Sequence, residues 1–146
     1  MNNQFKPYIN HLRVQGLKPT KQRLIISKIL FGRPDTFHFT VEGLKKIIDK
    51  STKSKISLAT IYNTIHTFKK NGFLKEISLK GNKIFFDTNT SNHHHFYDEN
   101  MSQLVDIEDK NISINYLPKI PGGKKIKSIE VLVKIEDNKL RSNITK

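Results

Sequence analysis

Residues 57–87 read SLATIYNTIHTFKKNGFLKEISLKGNKIFFD, and the spacing of their apolar residues changes at Gly72. The part before Gly72 has one apolar helix face, made of Leu58, Ile61, Ile65 and Phe68. This spacing predicts a helix with Ser57 as its N-cap. After Gly72, residues 73–79 and 83–87 are extended in pattern and flank Gly81-Asn82, a pair that suits a hairpin turn with positive φ.

Three shorter helices are predicted upstream. The first ends at Gly16, the second begins after Thr20 and ends at Gly32, and the third begins after Thr40. Threonine is a good N-cap and glycine commonly follows the end of a helix. Helices followed by a two-stranded hairpin indicate a winged helix-turn-helix domain over residues 1–88.

The remainder of the chain has a different pattern. Residues 89–92 are predicted to be a hinge, and residues 93–146 a second domain. Its apolar segments suggest strands at 96–97, 104–107, 112–114 and 126–135. A unit this short cannot bury both of its faces well, so pairing with a second copy of the chain is expected.

The charge is distributed unevenly between these parts. The 146 residues include 26 Lys plus Arg and 13 Asp plus Glu, a net charge of +13. Residues 1–90 hold 17 basic and 5 acidic side chains, whereas residues 91–146 hold 9 and 8. An alternative is that biased codon usage raises the lysine content throughout the chain and that these lysines are simply solvated. That explanation would not leave the second part nearly neutral. The excess therefore indicates a polyanionic partner for the first part, namely nucleic acid.

Composition also excludes several kinds of protein. Without cysteine, the chain can form no disulfide, thiolate metal site, cysteine nucleophile or iron–sulfur cluster. No apolar run approaches the ~18 residues of a membrane span, and residues 1–10 are too polar for a signal peptide. The expected location is the cytoplasm, with no membrane partner.

The outward face of the helix after Ser57 is unusual for a solvated surface. It is small, polar and uncharged, and it consists of Ala59, Thr60, Asn63, Thr64 and Thr67, with Tyr62 at its edge. Such a face can approach base edges closely, because Asn pairs with adenine and Thr methyl groups contact thymine. We therefore predict a DNA recognition helix, the alternative being a surface where these residues are merely tolerated.

A cluster of histidines and carboxylates is a candidate metal site. In an extended segment His93 and His95 point the same way and His94 the opposite way. His93 and His95 could chelate one ion, with Asp87 and Asp106 from neighbouring strands completing the site. Imidazole and carboxylate ligands suit Zn²⁺, Mn²⁺ or Fe²⁺. The alternative is that these histidines serve only in packing or at the surface.

Three motifs occur together and in order. They are Gly16-Leu17-Lys18-Pro19-Thr20-Lys21-Gln22-Arg23, then Ser57-Leu58-Ala59-Thr60-Ile61-Tyr62-Asn63-Thr64, then Phe86-Asp87 with the histidine run. In this combination the chain resembles the ferric uptake regulator family from about residue 10 to residue 135. Tyr62-Asn63-Thr64, Phe86-Asp87-Thr88-Asn89 and His93-His94-His95-Phe96 are most similar to its iron response regulator branch.

The resemblance implies an α+β protein with an N-terminal winged helix-turn-helix domain and a small α/β dimerisation domain. It implies a homodimeric, metal-dependent transcription regulator of iron, haem or other metal homeostasis that binds a double-stranded DNA operator. One divalent ion per subunit (Zn, Mn or Fe) would fix the angle between the domains. The family's metal site falls on His38, Asp87, His93, His95 and Asp106.

The family's DNA contacts fall on Ala59, Thr60 and Tyr62, and Lys18 and Arg23 are the phosphate contacts. The N-cap Ser57 and the outward-facing Asn63 lie beside them and are included in the predicted DNA-binding surface. The chain lacks the Cys-x-x-Cys pairs that hold a structural zinc in many relatives, and Asn63 replaces a common arginine. Haem is the signal in the iron response regulator branch, and by analogy His94 is the candidate haem ligand here.

Two other functions fit parts of the sequence. One is a general basic nucleic-acid-binding protein without a metal response. The other is a small zinc hydrolase, but hydrolysis needs an open coordination position, and five candidate protein ligands leave none. We therefore expect no enzymatic activity.

Overall fold

The computed structural model describes residues 3–139 of the chain. Contacts divide the chain into two compact units, residues 1–90 and residues 91–146. The outer ends of the two predicted domains, residues 1–2 and 140–146, lie outside the described residues. The described residues contain α-helices together with two sheets whose strands are mostly antiparallel, so the predicted α+β class is confirmed. Within residues 3–139, no helix has both the length and the apolar character that a membrane span requires.

The described part of the first unit contains four α-helices, and the last three begin where the sequence predicts. The four helices are α1 (Lys6–Val14), α2 (Lys21–Phe31), α3 (Val41–Ser51) and α4 (Leu58–Lys70). The side chains of Thr20, Thr40 and Ser57 each accept a hydrogen bond from a backbone N–H in the first turn of α2, α3 and α4. Each cap satisfies a donor that the helix itself leaves unpaired, which fixes the point where the helix starts.

A three-stranded antiparallel sheet completes this unit, in the order β1–β3–β2. The strands are β1 (His38–Phe39), β2 (Lys75–Ser78) and β3 (Ile84–Asp87). The predicted hairpin is confirmed, since Gly81 and Asn82 adopt positive φ of 75° and 59° between β2 and β3. The two-residue strand β1 was not predicted, and it pairs His38 with Asp87.

The core of the first unit lies between the helices and the sheet. Its fully enclosed side chains include Ile26, Ile48, Ile61, Ile65 and Phe68.

Two residues of α4 differ from the prediction. Leu58, predicted to be buried, is 45% exposed, because it occupies the first turn, where the side chain projects back towards the helix start. Thr64, predicted to face outward, is only 7% exposed, and its hydroxyl donates a 2.8 Å hydrogen bond to the Thr60 carbonyl. This hydrogen bond satisfies the hydroxyl, so Thr64 can be buried on the inner face of α4.

The second unit contains a three-stranded sheet in the order β5–β4–β6. The strands are β4 (His93–Asp98), β5 (Gln103–Glu108) and β6 (Leu132–Ile135), with β5 antiparallel and β6 parallel to β4. The predicted strand at 112–114 is wrong, and of the segment 126–135 only the last four residues are a strand. A 3₁₀ turn at Asp109–Asn111 ends β5, and in the described residues the chain regains a strand partner only at Leu132.

Candidate functional site

The histidine run forms the first half of β4, where alternate residues face opposite sides of the sheet. His93 and His95 share one side, with ring centroids 4.4 Å apart. Asp106, directly opposite His95 on β5, places its Oδ1 3.3 Å from His93 Nε2 and 3.2 Å from His95 Nε2. Two imidazoles and one carboxylate therefore converge on one point.

The orientation of the His93 ring is set by the backbone before it. Its Nδ1 lies 2.7 Å from the carbonyl oxygen of Ser91. A carbonyl can only accept, so Nδ1 carries a proton and, in the neutral ring, Nε2 presents a lone pair towards Asp106. A lone pair and a carboxylate repel one another unless a proton or a metal ion lies between them. A backbone carbonyl that fixes the tautomer in this way is typical of metal-ligating histidines.

The spacing of these three groups fits a divalent metal ion. One ligand atom from each of His93, His95 and Asp106 lies within 4.8 Å of the others. Two ligands of a tetrahedral ion with bonds of about 2.0–2.1 Å lie about 3.3–3.4 Å apart, and the two measured nitrogen–oxygen distances are 3.3 and 3.2 Å. Nitrogen and oxygen ligands suit Zn²⁺, Mn²⁺ or Fe²⁺.

The first unit holds a second histidine–carboxylate pair. His38 on β1 faces Asp87 on β3, with Nε2 and Oδ2 3.2 Å apart. The other oxygen, Oδ1, accepts a 2.8 Å hydrogen bond from the backbone N–H of Asn89, and the Asp87 side chain is completely buried. A buried carboxylate needs such partners, because removing its charge from water is costly. The pair thus offers two further ligands of the same chemistry.

His94 faces the other side of β4 and has a different role. Its Nδ1 accepts a 2.9 Å hydrogen bond from the Val131 N–H, so Nε2 carries the proton that points at Asp109 Oδ1, 2.9 Å away. Both ring nitrogens are therefore engaged. The assignment of His94 as a haem ligand stays a prediction, and iron would have to displace one of these two hydrogen bonds.

The predicted DNA-binding residues of α4 lie in its first turns. The Ser57 Oγ accepts the Thr60 N–H at 3.1 Å and lies 2.9 Å from the Thr60 hydroxyl oxygen. Ala59 and Asn63 are exposed, and Tyr62 is 48% exposed. These side chains form one accessible surface, which is the arrangement that base-edge contact requires.

His66 packs against Tyr62 of this surface, a contact that the sequence analysis did not predict. Its ring lies 4.4 Å from that of Tyr62, one helical turn earlier, and 6.2 Å from that of Phe86. The contact restricts where the Tyr62 ring can point. The i, i+4 spacing of two aromatic residues was the available signal.

The two predicted phosphate contacts lie at the start of α2. Lys18 is exposed, and its carbonyl accepts a 3.0 Å hydrogen bond from Arg23 Nη1. The guanidinium is therefore held against the loop that precedes the helix, while the Lys18 ammonium extends into solvent.

Known proteins are similar to this chain in sequence and in fold. The model of the ferric uptake regulator family matches residues 14–135. The peroxide-responsive repressor PerR of Staphylococcus aureus (strain Mu50 / ATCC 700699) is 31% identical over 108 residues, which are 74% of this chain and 71% of that protein.

Solved structures show the same fold. The ferric uptake regulator of Vibrio cholerae is similar with a TM-score of 0.68 and 24% identity, over 89% of this chain and 99% of that chain. The regulator from Pseudomonas aeruginosa with manganese has a TM-score of 0.67 and 19% identity, over 89% and 97%. The matches in sequence and in fold lead to one conclusion: the chain belongs to the ferric uptake regulator family, a family of transcription regulators and not of enzymes.

Proposed function

We propose that this protein is a metal-dependent, sequence-specific DNA-binding transcription regulator of iron, or of another metal, that acts as a homodimer in the cytoplasm. The observation that carries the proposal is the convergence of His93, His95 and Asp106, with the His93 tautomer fixed by a backbone carbonyl. The similarity to the repressor PerR of Staphylococcus aureus supports a regulatory role.

The proposed metal site takes one divalent ion per subunit, Zn, Mn or Fe. His93, His95 and Asp106 supply three ligands, and His38 and Asp87 are the further ligands that the family resemblance implies. When bound, the ion supplies a fixed positive charge and directional bonds to imidazole and carboxylate. The chain's own residues prepare for it: Ser91 orients His93, and Asn89 holds the Asp87 carboxylate.

The proposed operator contacts begin with α4. Tyr62 and Asn63 present a phenol and an amide to base edges, and Ala59 and Thr60 allow close approach. Lys18 and Arg23 supply charge for phosphate oxygens before α2. The metal would control affinity by selecting the dimer shape in which two copies of α4 match two major-groove segments, as the family resemblance implies.

The proposed homodimer would use the second sheet. Phe96 on β4 lies opposite Val105 on β5 and Val133 on β6, so these three share the side of the sheet that faces away from His93 and His95. Phe96 is 38% and Val105 53% exposed in the single chain. An apolar sheet face of this kind is unfavourable in water unless a partner covers it.

The test compares two duplexes, a selected operator and a scrambled sequence, by fluorescence anisotropy with metal and with chelator. The expected result is tight operator binding that chelator abolishes and that the double variant His93→Ala/His95→Ala lacks. His11→Gln is the matched control, because His11 lies on α1 among Phe31 and Phe73 and should leave the metal response intact.

The alternative is a general basic nucleic-acid-binding protein without a metal response. The charge of the first 90 residues favours it, because 17 basic and 5 acidic side chains attract any polyanion. Equal affinity for the operator and the scrambled duplex, unchanged by chelator and by the double histidine variant, would establish this alternative in place of the metal-dependent regulator.

A further inference from the structure

A basic groove runs along the connection between α3 and α4. It is open to solvent, encloses about 920 Å³, and is lined by Lys45, Asp49, Lys50, Ser51, Thr52, Lys53, Ser54, Lys55, Ile56 and Ser57. We call this feature the lysine groove. It contains none of the α4 residues predicted to read bases, apart from its border at Ser57.

The charge of the lysine groove is strongly one-sided. Four of the lining side chains are lysines and one, Asp49, is acidic. The Asp49 carboxylate accepts a 2.8 Å hydrogen bond from Lys45 Nζ, one helical turn away. Lys50, Lys53 and Lys55 are all exposed. The groove therefore presents three ammonium groups beyond the Lys45–Asp49 pair.

The loop that carries these lysines is held in place. Ile56 is 1% exposed and belongs to the core of the first unit. The Thr52 Oγ1 accepts a 3.2 Å hydrogen bond from the Ser54 N–H. Exposure alternates along the loop, so Lys53, Lys55 and Ser57 are exposed, while Ser54 is partly buried and Ile56 is buried. The lysines thus lead directly to the capped start of α4.

We propose that the lysine groove binds the sugar–phosphate backbone of the operator, beside the segment that α4 reads. This inference rests on the proposed function, and it assigns a contact surface that lies outside α4 and outside Lys18 and Arg23. A duplex backbone suits the groove because it is a continuous row of negative charges, about one per 3.4 Å along each strand. A small anion would instead need an enclosed pocket with buried polar partners, and this groove is open.

The chemistry of the lining side chains agrees with a backbone contact. Lysine is a flexible point charge without the planar fork that reads a carboxylate or guanine edge. The hydroxyls of Ser51, Thr52 and Ser54 are further groups of the kind that contacts phosphate oxygens. Such contacts position a protein on DNA without reading sequence. The groove should therefore strengthen binding to every duplex by the same factor.

The experiment uses the full chain with its metal and measures affinity as a function of salt. The test variant is Lys53→Gln/Lys55→Gln, and the matched control Lys124→Gln/Lys125→Gln removes the same charge from exposed residues of the second unit. A third variant, Lys53→Arg/Lys55→Arg, retains the charge. Each is measured on the operator and on the scrambled duplex.

The expected result is a shallower dependence of log affinity on log salt for the glutamine variant at 53 and 55. Each lost phosphate contact should reduce the magnitude of this negative slope by about 0.9. Affinity near 0.15 M salt should fall about ten- to thirtyfold per subunit. The loss should be the same on both duplexes, and neither the arginine variant nor the control at 124 and 125 should show it.

Two results would overturn the inference. If the glutamine variant keeps metal-dependent operator binding and its salt dependence is unchanged, the lysine groove does not contact the DNA backbone. The proposed function would not be affected by this result. A loss confined to the operator shows that these lysines act on sequence reading instead. If DNA binding does not depend on metal but the glutamine variant still has a reduced salt dependence, the groove contact is supported and the metal-dependent function is refuted. Failure of the inference and failure of the proposed function can therefore be distinguished.

Discussion

Replacing Asp106 by asparagine tests the proposed metal site most directly. The substitution keeps the shape of the side chain and removes the negative charge that lies 3.3 Å from His93 Nε2 and 3.2 Å from His95 Nε2. Loss of a group that only supports a metal ligand costs about 10–100-fold in affinity. A direct anionic ligand should cost at least the upper value, about 100-fold or about 2.7 kcal/mol.

The same loss can be measured as stability. Metal at one hundred times its dissociation constant stabilises the folded protein by about 2.7 kcal/mol. After a 100-fold loss of affinity the same concentration gives about 0.4 kcal/mol. The difference of about 2.3 kcal/mol corresponds to a melting temperature lower by roughly 5–9 °C with metal, and to little change with chelator.

The assays are calorimetric metal titration and thermal unfolding, with Asp109→Asn as the matched control. Asp109 lies just after β5 and contacts His94, which faces the opposite side of β4 from His93 and His95. Asp109→Asn therefore removes one negative charge from the same unit without changing the proposed ligands. Wild-type metal affinity in Asp106→Asn, or an equal loss in Asp109→Asn, would refute the assignment of Asp106 as a ligand.

Three further predictions concern the first unit. Ser57→Ala should lower the free energy of unfolding, measured with denaturant, by about 1 kcal/mol, because the Thr60 N–H loses its hydrogen-bond acceptor. Ser57→Asn should retain most of the wild-type stability, because Asn is also a good N-cap. Phe68→Ala should lower the free energy of unfolding by about 3–5 kcal/mol in the same assay, since the side chain is fully buried. The control Val14→Ala removes a side chain that is 80% exposed and should change stability by less than about 0.5 kcal/mol. Asn63→Ala should weaken operator binding by about 1–3 kcal/mol and scrambled-duplex binding little, and equal losses in anisotropy titrations would show that Asn63 does not read bases.

The second unit shows where prediction from sequence reached its limit. Apolar residues predicted strands at 96–97 and 104–107, which lie inside β4 and β5, but the same kind of pattern at 112–114 gave no strand. A strand requires a partner edge as well as a suitable sequence. Whether an edge is available depends on where the rest of the chain lies, and a local pattern holds no information about that.

The sequence alone determined the helices of the first unit and the hairpin. Thr20, Thr40 and Ser57 act within one turn of their own position, and Gly81-Asn82 requires only a local positive φ. Effects of such short range are present in any window of a few residues. The alternation of the histidine run likewise follows from the strand period of two.

Tertiary structure decided which carboxylate each histidine meets. His95 lies opposite Asp106 only because β4 and β5 pair in one register, and a shift of one residue would turn Asp106 to the other side of the sheet. His38 meets Asp87 through a two-residue strand that is too short for any periodic signal. The ligand types were therefore visible in the sequence, whereas their convergence depends on strand pairing between residues far apart in the chain.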